Sequence, residues 1–280
     1  MESDFKRILV VGLGLMGGSF AKAIRYAVPA IKMDGLDLDR ESMESAKALG
    51  VIDAGFCQTQ KEKYDLIVLA TPLGAYSTII NQLIPWMSEG ALLTDLGSVK
   101  GRVHREVEAL LPGFVSFLGG HPMCGAEYNG FSASRTDLFD GKVFFLTGQT
   151  NTSVAKAYIR ILEAIDVQIV KTSPIEHDTM VAKTSHLPHL SAVLLSSLLE
   201  SEENCKNYIG EGFRDSTRIA AGDPRVWKDI FLYNAPAILE DLEEFQKKLN
   251  HLKDCLKSEN GIEIVEALAI SKEIQEGIKG

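Results

Sequence analysis

Ile8-Leu9-Val10-Val11-Gly12-Leu13-Gly14-Leu15-Met16-Gly17 is an apolar run that ends in three spaced glycines, and a small-residue helical pattern follows through Ser19, Ala21, Ala23 and Ile24. That order reads as strand, glycine turn, helix. Gly12 makes the tight turn, Gly14 lets a pyrophosphate approach the backbone, and Gly17 lets the helix pack closely on the strand. The second strand, 33–38, carries Asp37 twenty residues beyond Gly17, where a carboxylate meets the ribose of a bound adenosine. An ordinary glycine-rich turn would leave that acid unexplained. Such a carboxylate accepts from both ribose hydroxyls and repels a 2′-phosphate, so the pattern favours NAD over NADP, with Arg40 near enough to blur the preference.

Outward from this unit, short apolar runs alternate with helical patterns, as in a parallel sheet covered on both faces. Strands are expected at 8–11, 33–38, 66–70, 91–95, 115–119, 143–146 and 168–170. Asp39 reads as a helix N-cap and Gly50 as the stop of the same helix. Ligand-handling residues in such sheets collect at the carboxyl ends of strands, where Thr71-Pro72, Asp95-Leu96-Gly97-Ser98 and His121-Pro122 fall. The expected cofactor contacts are Gly12, Gly14, Leu15, Met16, Gly17, Asp37, Thr71, Pro72 and Ser98.

Ser173-Pro174-Ile175-Glu176 is a capping box with proline at the first helical position, and only helical patterns follow it. The expectation is an α/β chain, with a Rossmann-type, doubly wound, mostly parallel sheet over 1–172 and an all-helical domain over 173–280. Asp223-Pro224 and Asn234-Ala235-Pro236 mark further helix starts. Along the last long helix Ile238, Leu242, Phe245, Leu249, Leu252 and Leu256 recur at steps of four and three, a seam for packing inside the domain or against a second copy. A helical domain of roughly a hundred residues has a small core of its own, so a homodimer through it is expected.

With 280 residues, 45% hydrophobic content and a formal net charge of −9, the chain has material for two globular domains and little affinity for nucleic acid or an anionic membrane. An anionic small-molecule substrate must then meet a local basic cluster. The start has no signal-peptide core and no apolar run reaches membrane-spanning length, so a cytoplasmic protein is expected. Cys57, Cys124, Cys205 and Cys255 lack paired spacing and read as free thiols.

The remaining chemistry lies in Thr94-Asp95-Leu96-Gly97-Ser98-Val99-Lys100, in Gly119-Gly120-His121-Pro122-Met123-Cys124-Gly125-Ala126-Glu127, in His186-Leu187-Pro188-His189, and in the stretch 212–227 that holds Arg214, Asp215, Arg218 and Trp227. In combination these motifs closely resemble the prephenate and arogenate dehydrogenase family of tyrosine biosynthesis, over about residues 8–245. The resemblance implies an oxidative decarboxylation in which a cyclohexadienol loses hydride to NAD and its ring carboxylate leaves as carbon dioxide. Prephenate, giving 4-hydroxyphenylpyruvate, is the first expectation. Arogenate, or both substrates, is the alternative, because no residue reads the side-chain keto group against an ammonium.

Aromatisation drives such a reaction, so the protein mainly positions the reactants and accepts a proton. His121 is the expected base, since imidazole titrates close to neutrality, and the resemblance implies that it contacts the substrate hydroxyl. The plainer reading is a structural turn histidine before proline. Ser98 either bridges the substrate alcohol, His121 and the nicotinamide ribose, or caps a helix with Asp95 and Gly97 shaping the turn. Lys100 offsets nearby acidic charge.

Arg214 and Arg218, four apart, would share one helix face, and the resemblance makes Arg218 the bidentate anchor of a substrate carboxylate. Tight pairing to the departing ring carboxylate would stabilise the ground state and slow its loss. Arg218 is therefore expected on the side-chain carboxylate. His186 and His189 have no helpfully spaced third ligand, so no metal is expected; the resemblance implies a substrate contact for His189, and His186 reads equally well as a core histidine. Trp227 suits a helix core, although its counterpart in relatives reaches a neighbouring subunit's pocket. Glu127 and Asp215 are expected to form an ionic gate with Arg214. Ala126 stands where relatives often carry threonine, which removes a hydroxyl contact.

Two other readings stay open. A 3-hydroxyacid dehydrogenase would use a lysine such as Lys183, and a dinucleotide-sensing regulator would need a basic DNA-reading helix that this acidic chain lacks. No appended regulatory module is expected, so any tyrosine feedback is expected at the active site itself.

Overall fold

A computed structural model of the chain describes residues 4–125 and 128–279. The strands are β1 (Arg7–Val11), β2 (Lys32–Leu36), β3 (Ala54–Gly55), β4 (Tyr64–Leu69), β5 (Met87–Asp95), β6 (Ser116–Pro122), β7 (Val143–Gly148) and β8 (Gln168–Thr172), in one sheet ordered β3-β2-β1-β4-β5-β6-β7-β8. Helices α1 (Leu15–Ala27), α2 (Arg40–Ala48), α3 (Tyr76–Leu83), α4 (Gly101–Glu108) and α5 (Ser153–Ala164) connect them. All neighbouring pairs are parallel except β6 with β7. A parallel return usually runs through a crossover α-helix, whereas the link from β6 to β7 shows among the described residues only a 3-10 turn at Phe131–Ala133, and β7 comes back antiparallel.

Alternation along the strands divides the core between two faces. Ile8, Val10, Leu66, Val68 and Leu92 pack with Phe20 and Ile24 of α1 and with Tyr158 and Leu162 of α5. Leu9, Val11, Ile67, Leu69 and Leu93 pack on the opposite face with Ile80 and Leu83 of α3 and Val103 and Val107 of α4. Burial on both sides explains why the strands read as unbroken apolar runs. Strand order reverses between β1 and β4, so the segments leaving their carboxyl ends diverge and open a crevice there.

The local signals hold in detail, with a few corrections. Asp39 caps α2 by accepting from the amides of Glu41 at 3.2 Å and Ser42 at 3.1 Å, and Gly50 follows at φ +67°. β2 stops at Leu36 rather than 38 because the Asp37 carboxylate accepts from the amides of Leu13 at 2.5 Å and Asp39 at 2.8 Å, which draws the chain out of the sheet. β3 was not expected; two residues are too few to show an alternation.

Ser173 accepts from the Glu176 amide at 3.1 Å and starts α6 (Pro174–Val181), which runs through a π-helical turn at Ala182–His186 into α7 (Leu187–Ser197). Then come α8 (Glu211–Thr217) and α9 (Pro224–Tyr233), the latter capped by Asp223, whose carboxylate accepts from Arg225 N at 2.8 Å. Among the described residues no strand follows β8. Chain contacts define one compact unit over Met1–Asn234 and another over Ala235–Gly280. The second unit is α10 (Ala235–Lys257) and α11 (Gly261–Lys279). The helix with the apolar seam is therefore not the last one. Along that seam Phe245, Leu249, Leu252 and Leu256 are exposed, as are Ile262, Val265, Leu268 and Ile274 of α11.

Candidate active site

The β1–α1 turn sits at the reversal of strand order, and its glycines are held there by close packing. Gly12 adopts φ +88°, and a Cβ on it would come within 2.6 Å of the Ala70 carbonyl oxygen after β4. A Cβ on Gly17 would collide with the Gly12 carbonyl, whereas one on Gly14 would meet nothing within 4 Å. Gly14 is also the N-cap of α1 and supplies no capping side chain. The first amides of the helix, those of Leu15 and Met16 among them, thus lie at its positive end with no capping side chain and with open space at Gly14, as a pyrophosphate requires.

Beside Gly12, the hydroxyl oxygen of Thr71 is buried without a hydrogen-bond partner among the described residues, and Pro72 follows it exposed. Asp37 braces the Leu13 amide and still has lone pairs for a ribose hydroxyl. Arg40 turns to Glu44, 2.7 Å away on the exposed face of α2. This donor set fits a dinucleotide: open amides for the diphosphate, an acid for the ribose, and a small cradle at the strand edge.

Next along the sheet, Asp95 ends β5 as a buried clamp. Its carboxylate accepts from Lys100 Nζ at 2.6 and 2.5 Å, from Tyr76 Oη at 3.1 Å, and from the amides of Gly97 at 3.0 Å and Gly120 at 3.1 Å. Lys100, completely buried, also donates to the Gly120 carbonyl at 2.7 Å. Burial weakens its hold on its proton, and the Asp95 carboxylate opposes that loss. Composition suggested that Lys100 merely offsets acidic charge; the fold uses the pair to join the end of β5 to β6.

Ser98 lies half-buried in the loop after β5, but it does not cap α4. Asp178 of α6 does so, accepting from the amides of Lys100 and Gly101, each at 2.7 Å. That outcome removes the capping reading of Ser98 and leaves its hydroxyl beside the sheet edge.

His121 stands at the carboxyl end of β6 and is 8% exposed. Its Nδ1 lies 2.8 Å from His177 Nε2, and His177 Nδ1 lies 2.8 Å from Asp178 Oδ1. Burial lowers the His121 pKa well below that of free imidazole, and His177, Lys100 and His186 add to the effect. This imidazole therefore titrates below the near-neutral range expected of a free one. His186 is the core histidine of its pair, 1% exposed, with its Nδ1 3.1 Å from Asn234 Nδ2, which also donates to the Asp178 carbonyl at 2.8 Å.

A cavity of about 740 Å³ is lined by His189, Arg218, Gly222 and Trp227, with Gly125 and Asn129 at its side. The His189 and Trp227 rings stack with centroids 3.4 Å apart and planes 15° apart. A Cβ on Gly222 would strike Trp227, so that glycine permits the stack. His189 Nδ1 is buried and without a partner among the described residues. Three of the expected substrate residues thus share one concavity.

The arginine pair does not share a helix face, since α8 stops at Thr217 and Arg218 opens a 3-10 turn, Arg218–Ala221. Arg214 and Asp215 are exposed and outside the cavity lining. Glu127, expected at the gate, lies outside the described residues together with Ala126. His177, Asp178 and Asn234 were missed by sequence reasoning. The His177-Asp178 pair directly follows the capping box, and its place one turn into a helix beginning at β8 was the available signal.

Potential metal-ligand atoms converge in the second unit, where His251, Cys255 and Glu263 approach one another between α10 and α11. Burial and the Glu263 carboxylate hold the Cys255 thiol protonated, which disfavours thiolate ligation. Among the described residues no helix is long and apolar enough to cross a membrane.

A sheet of this order, with a glycine turn at its reversal and a buried imidazole farther along the same edge, is that of an NAD-dependent oxidoreductase. Two family models match the chain: the prephenate dehydrogenase nucleotide-binding domain over residues 20–171 and the prephenate dehydrogenase dimerization domain over 173–270. The chain belongs to the prephenate dehydrogenase family.

It is 32% identical to the prephenate dehydrogenase of Bacillus subtilis, over 97% of this chain and 76% of that one. It is also 32% identical to the cyclohexadienyl dehydrogenase of Zymomonas mobilis, over 98% and 97%. The crystal structure of Aquifex aeolicus prephenate dehydrogenase with hydroxyphenyl propionate and NAD+ superposes with a TM-score of 0.90 at 36% identity, covering 99% of this chain and 100% of that one. Synechocystis arogenate dehydrogenase superposes at 0.82 with 28% identity, covering 97% and 99%. The reading as a 3-hydroxyacid dehydrogenase falls with this assignment, and Lys183, its proposed catalyst, is exposed rather than desolvated.

Proposed function

We propose that the chain catalyses the NAD-dependent oxidative decarboxylation of prephenate to 4-hydroxyphenylpyruvate and carbon dioxide. The carrying observation is His121, a buried imidazole kept neutral at the carboxyl end of β6, in the same sheet whose β1–β4 reversal forms the dinucleotide cradle. NAD, when bound, supplies the hydride acceptor. His121 Nε2 takes the hydroxyl proton as hydride leaves the carbinol carbon, and returns it to that oxygen when the carbon–carboxylate bond breaks and the ring becomes aromatic. A carbinol losing hydride becomes strongly acidic, so a base with a lowered pKa suffices.

In this reading Ser98 bridges the substrate alcohol and the nicotinamide ribose, Arg218 grips the side-chain carboxylate, and His189 and Trp227 wall the ring. Residues 1–172 hold the dinucleotide, and 173–280 complete the substrate pocket and pair two copies of the chain into a homodimer. The dimerization-domain match and the exposed apolar residues of α10 and α11 support that pairing. We place the enzyme in the cytoplasm, where four free thiols suit a reducing milieu.

An absorbance assay of NADH or NADPH formation, crossing prephenate and arogenate with NAD and NADP, tests the assignment. Turnover is expected with prephenate and NAD and should vanish in folded H121N; an undiminished rate in that variant would reject His121 as the base. Arogenate is the second reading, favoured by the arogenate dehydrogenase superposition, and the same crossing ranks the two.

A further inference from the structure

The mechanism above uses His121 Nε2 and leaves its other nitrogen unexplained. Nδ1 of His121 meets Nε2 of His177 at 2.8 Å, with ring centroids 5.0 Å apart and planes inclined by 73°. Nδ1 of His177 meets Asp178 Oδ1 at 2.8 Å. Both rings and the carboxylate are buried, at 8%, 1% and 7% exposure respectively. Asp178 is anchored from another direction, since its two oxygens accept from the Lys100 and Gly101 amides at the start of α4. Phe145 of β7 packs edge-on against His177 at 5.2 Å and seals the pair on that side.

Donor counting gives this chain of atoms a direction. The Asp178 carboxylate only accepts, so His177 Nδ1 carries a hydrogen and donates it. A neutral His177 then offers a lone pair at Nε2. His121 must therefore carry its hydrogen at Nδ1, which leaves Nε2 as the open base. An isolated imidazole has no such fixed preference for either nitrogen. Around the pair stand Asp178 on α6, Lys100 before α4, Asp95 at the end of β5 and His186 in the π-helical turn.

We propose that His177 is a positioning residue for the reaction: backed by Asp178, it fixes His121 in the Nδ1–H tautomer and shares the proton that Nε2 receives. As the substrate O–H proton bonds to His121 Nε2, the Nδ1–H bond lengthens toward His177 Nε2. Positive charge is thereby displaced one ring closer to the Asp178 carboxylate, and the shift reverses when the proton returns to the product oxygen. No oxidant or reductant is needed beyond the hydride transfer itself. The inference rests on the reading of His121 as the base.

The test compares His177→Leu, which removes the acceptor, with His177→Gln, whose carbonyl oxygen can still accept from His121 Nδ1 but cannot take a proton. Steady-state kinetics with prephenate and NAD are paired with nitrogen-15 NMR of the histidine rings. In the parent, His121 is expected as the Nδ1–H tautomer alone. His177→Leu should show a mixture of tautomers and a kcat lower by on the order of 10²-fold or more, with both KM values within about twofold. His177→Gln should keep the tautomer and recover part of the rate.

A folded His177→Leu with parental kcat, or one whose defect lies in KM alone, overturns the proposal. So does a parental His121 carrying its hydrogen on Nε2, a measurement that needs no variant to fold. Failure of the underlying reading is distinguishable, because H121N would then remain active; an inactive H121N beside a fully active His177→Leu condemns only the positioning role.

Discussion

The protonation state of His121 is set by its burial and its neighbours more than by the pKa of free imidazole. Desolvation and the adjacent Lys100 ammonium keep it neutral at pH values where a surface histidine would be half protonated. The position of His121 at the end of a strand was legible from the sequence, and its role as base is the proposal that position supports. The buried lysine beneath it and the second imidazole were not, because burial is a property of the folded chain. Arg218 illustrates the same division. The family resemblance implied a carboxylate anchor, while its seat on the cavity with His189 and Trp227 required the 3-10 turn that follows α8. If Arg218 holds the side-chain carboxylate, Arg218→Gln removes binding shared by ground state and transition state. KM for prephenate should then rise by at least tenfold while kcat falls less than about threefold. A collapse of kcat at unchanged KM would reject that assignment.

At the scale of elements, the junction of β6, α6 and the π-helical turn gathers three buried imidazoles, His121, His177 and His186. All three have pKa values lowered first by burial, His186 to about 4. A histidine whose folded pKa lies below its unfolded value near 6.5 contributes stability that is fully present above pH 6.5 and lost as pH falls through the folded value. For His186 alone that loss is on the order of 3 kcal/mol by pH 4. Urea titrations should show the midpoint falling between pH 6.5 and pH 4.5, and H186Q should flatten that slope. An unaltered slope in H186Q would mean that the other buried imidazoles, His121 and His177, carry the dependence. The capping box at Ser173 was readable from four residues. What followed it was not, because the α6 carboxylate caps a helix that begins 77 residues earlier.

At the scale of the molecule, α10 and α11 leave a run of leucine, isoleucine, valine and phenylalanine side chains open to solvent. Exposed apolar area of this kind marks an association surface, and the dimerization-domain match covers most of it. Leu249, 57% exposed, and Leu256, 68% exposed, lie on the seam recognised from its spacing. The double substitution L249E and L256E should convert a dimer into monomers in sedimentation velocity. A dimer that survives both charges would place the interface elsewhere. The spacing revealed the seam but could not say whether it faced inward or outward, since both uses need the same periodicity.

The sequence by itself determined the strand–turn–helix that receives the dinucleotide, the caps that start α2, α6 and α9, and the family to which the chain belongs. These rest on contacts between residues close together along the chain, whose geometry is set by local sterics and short-range hydrogen bonds. Only the tertiary structure decided which histidine supports His121, that Lys100 lies buried against Asp95, and which helix end Asp178 caps. Those partners are joined across the sheet, where packing of distant segments brings groups within bonding distance and excludes the water that would otherwise satisfy them.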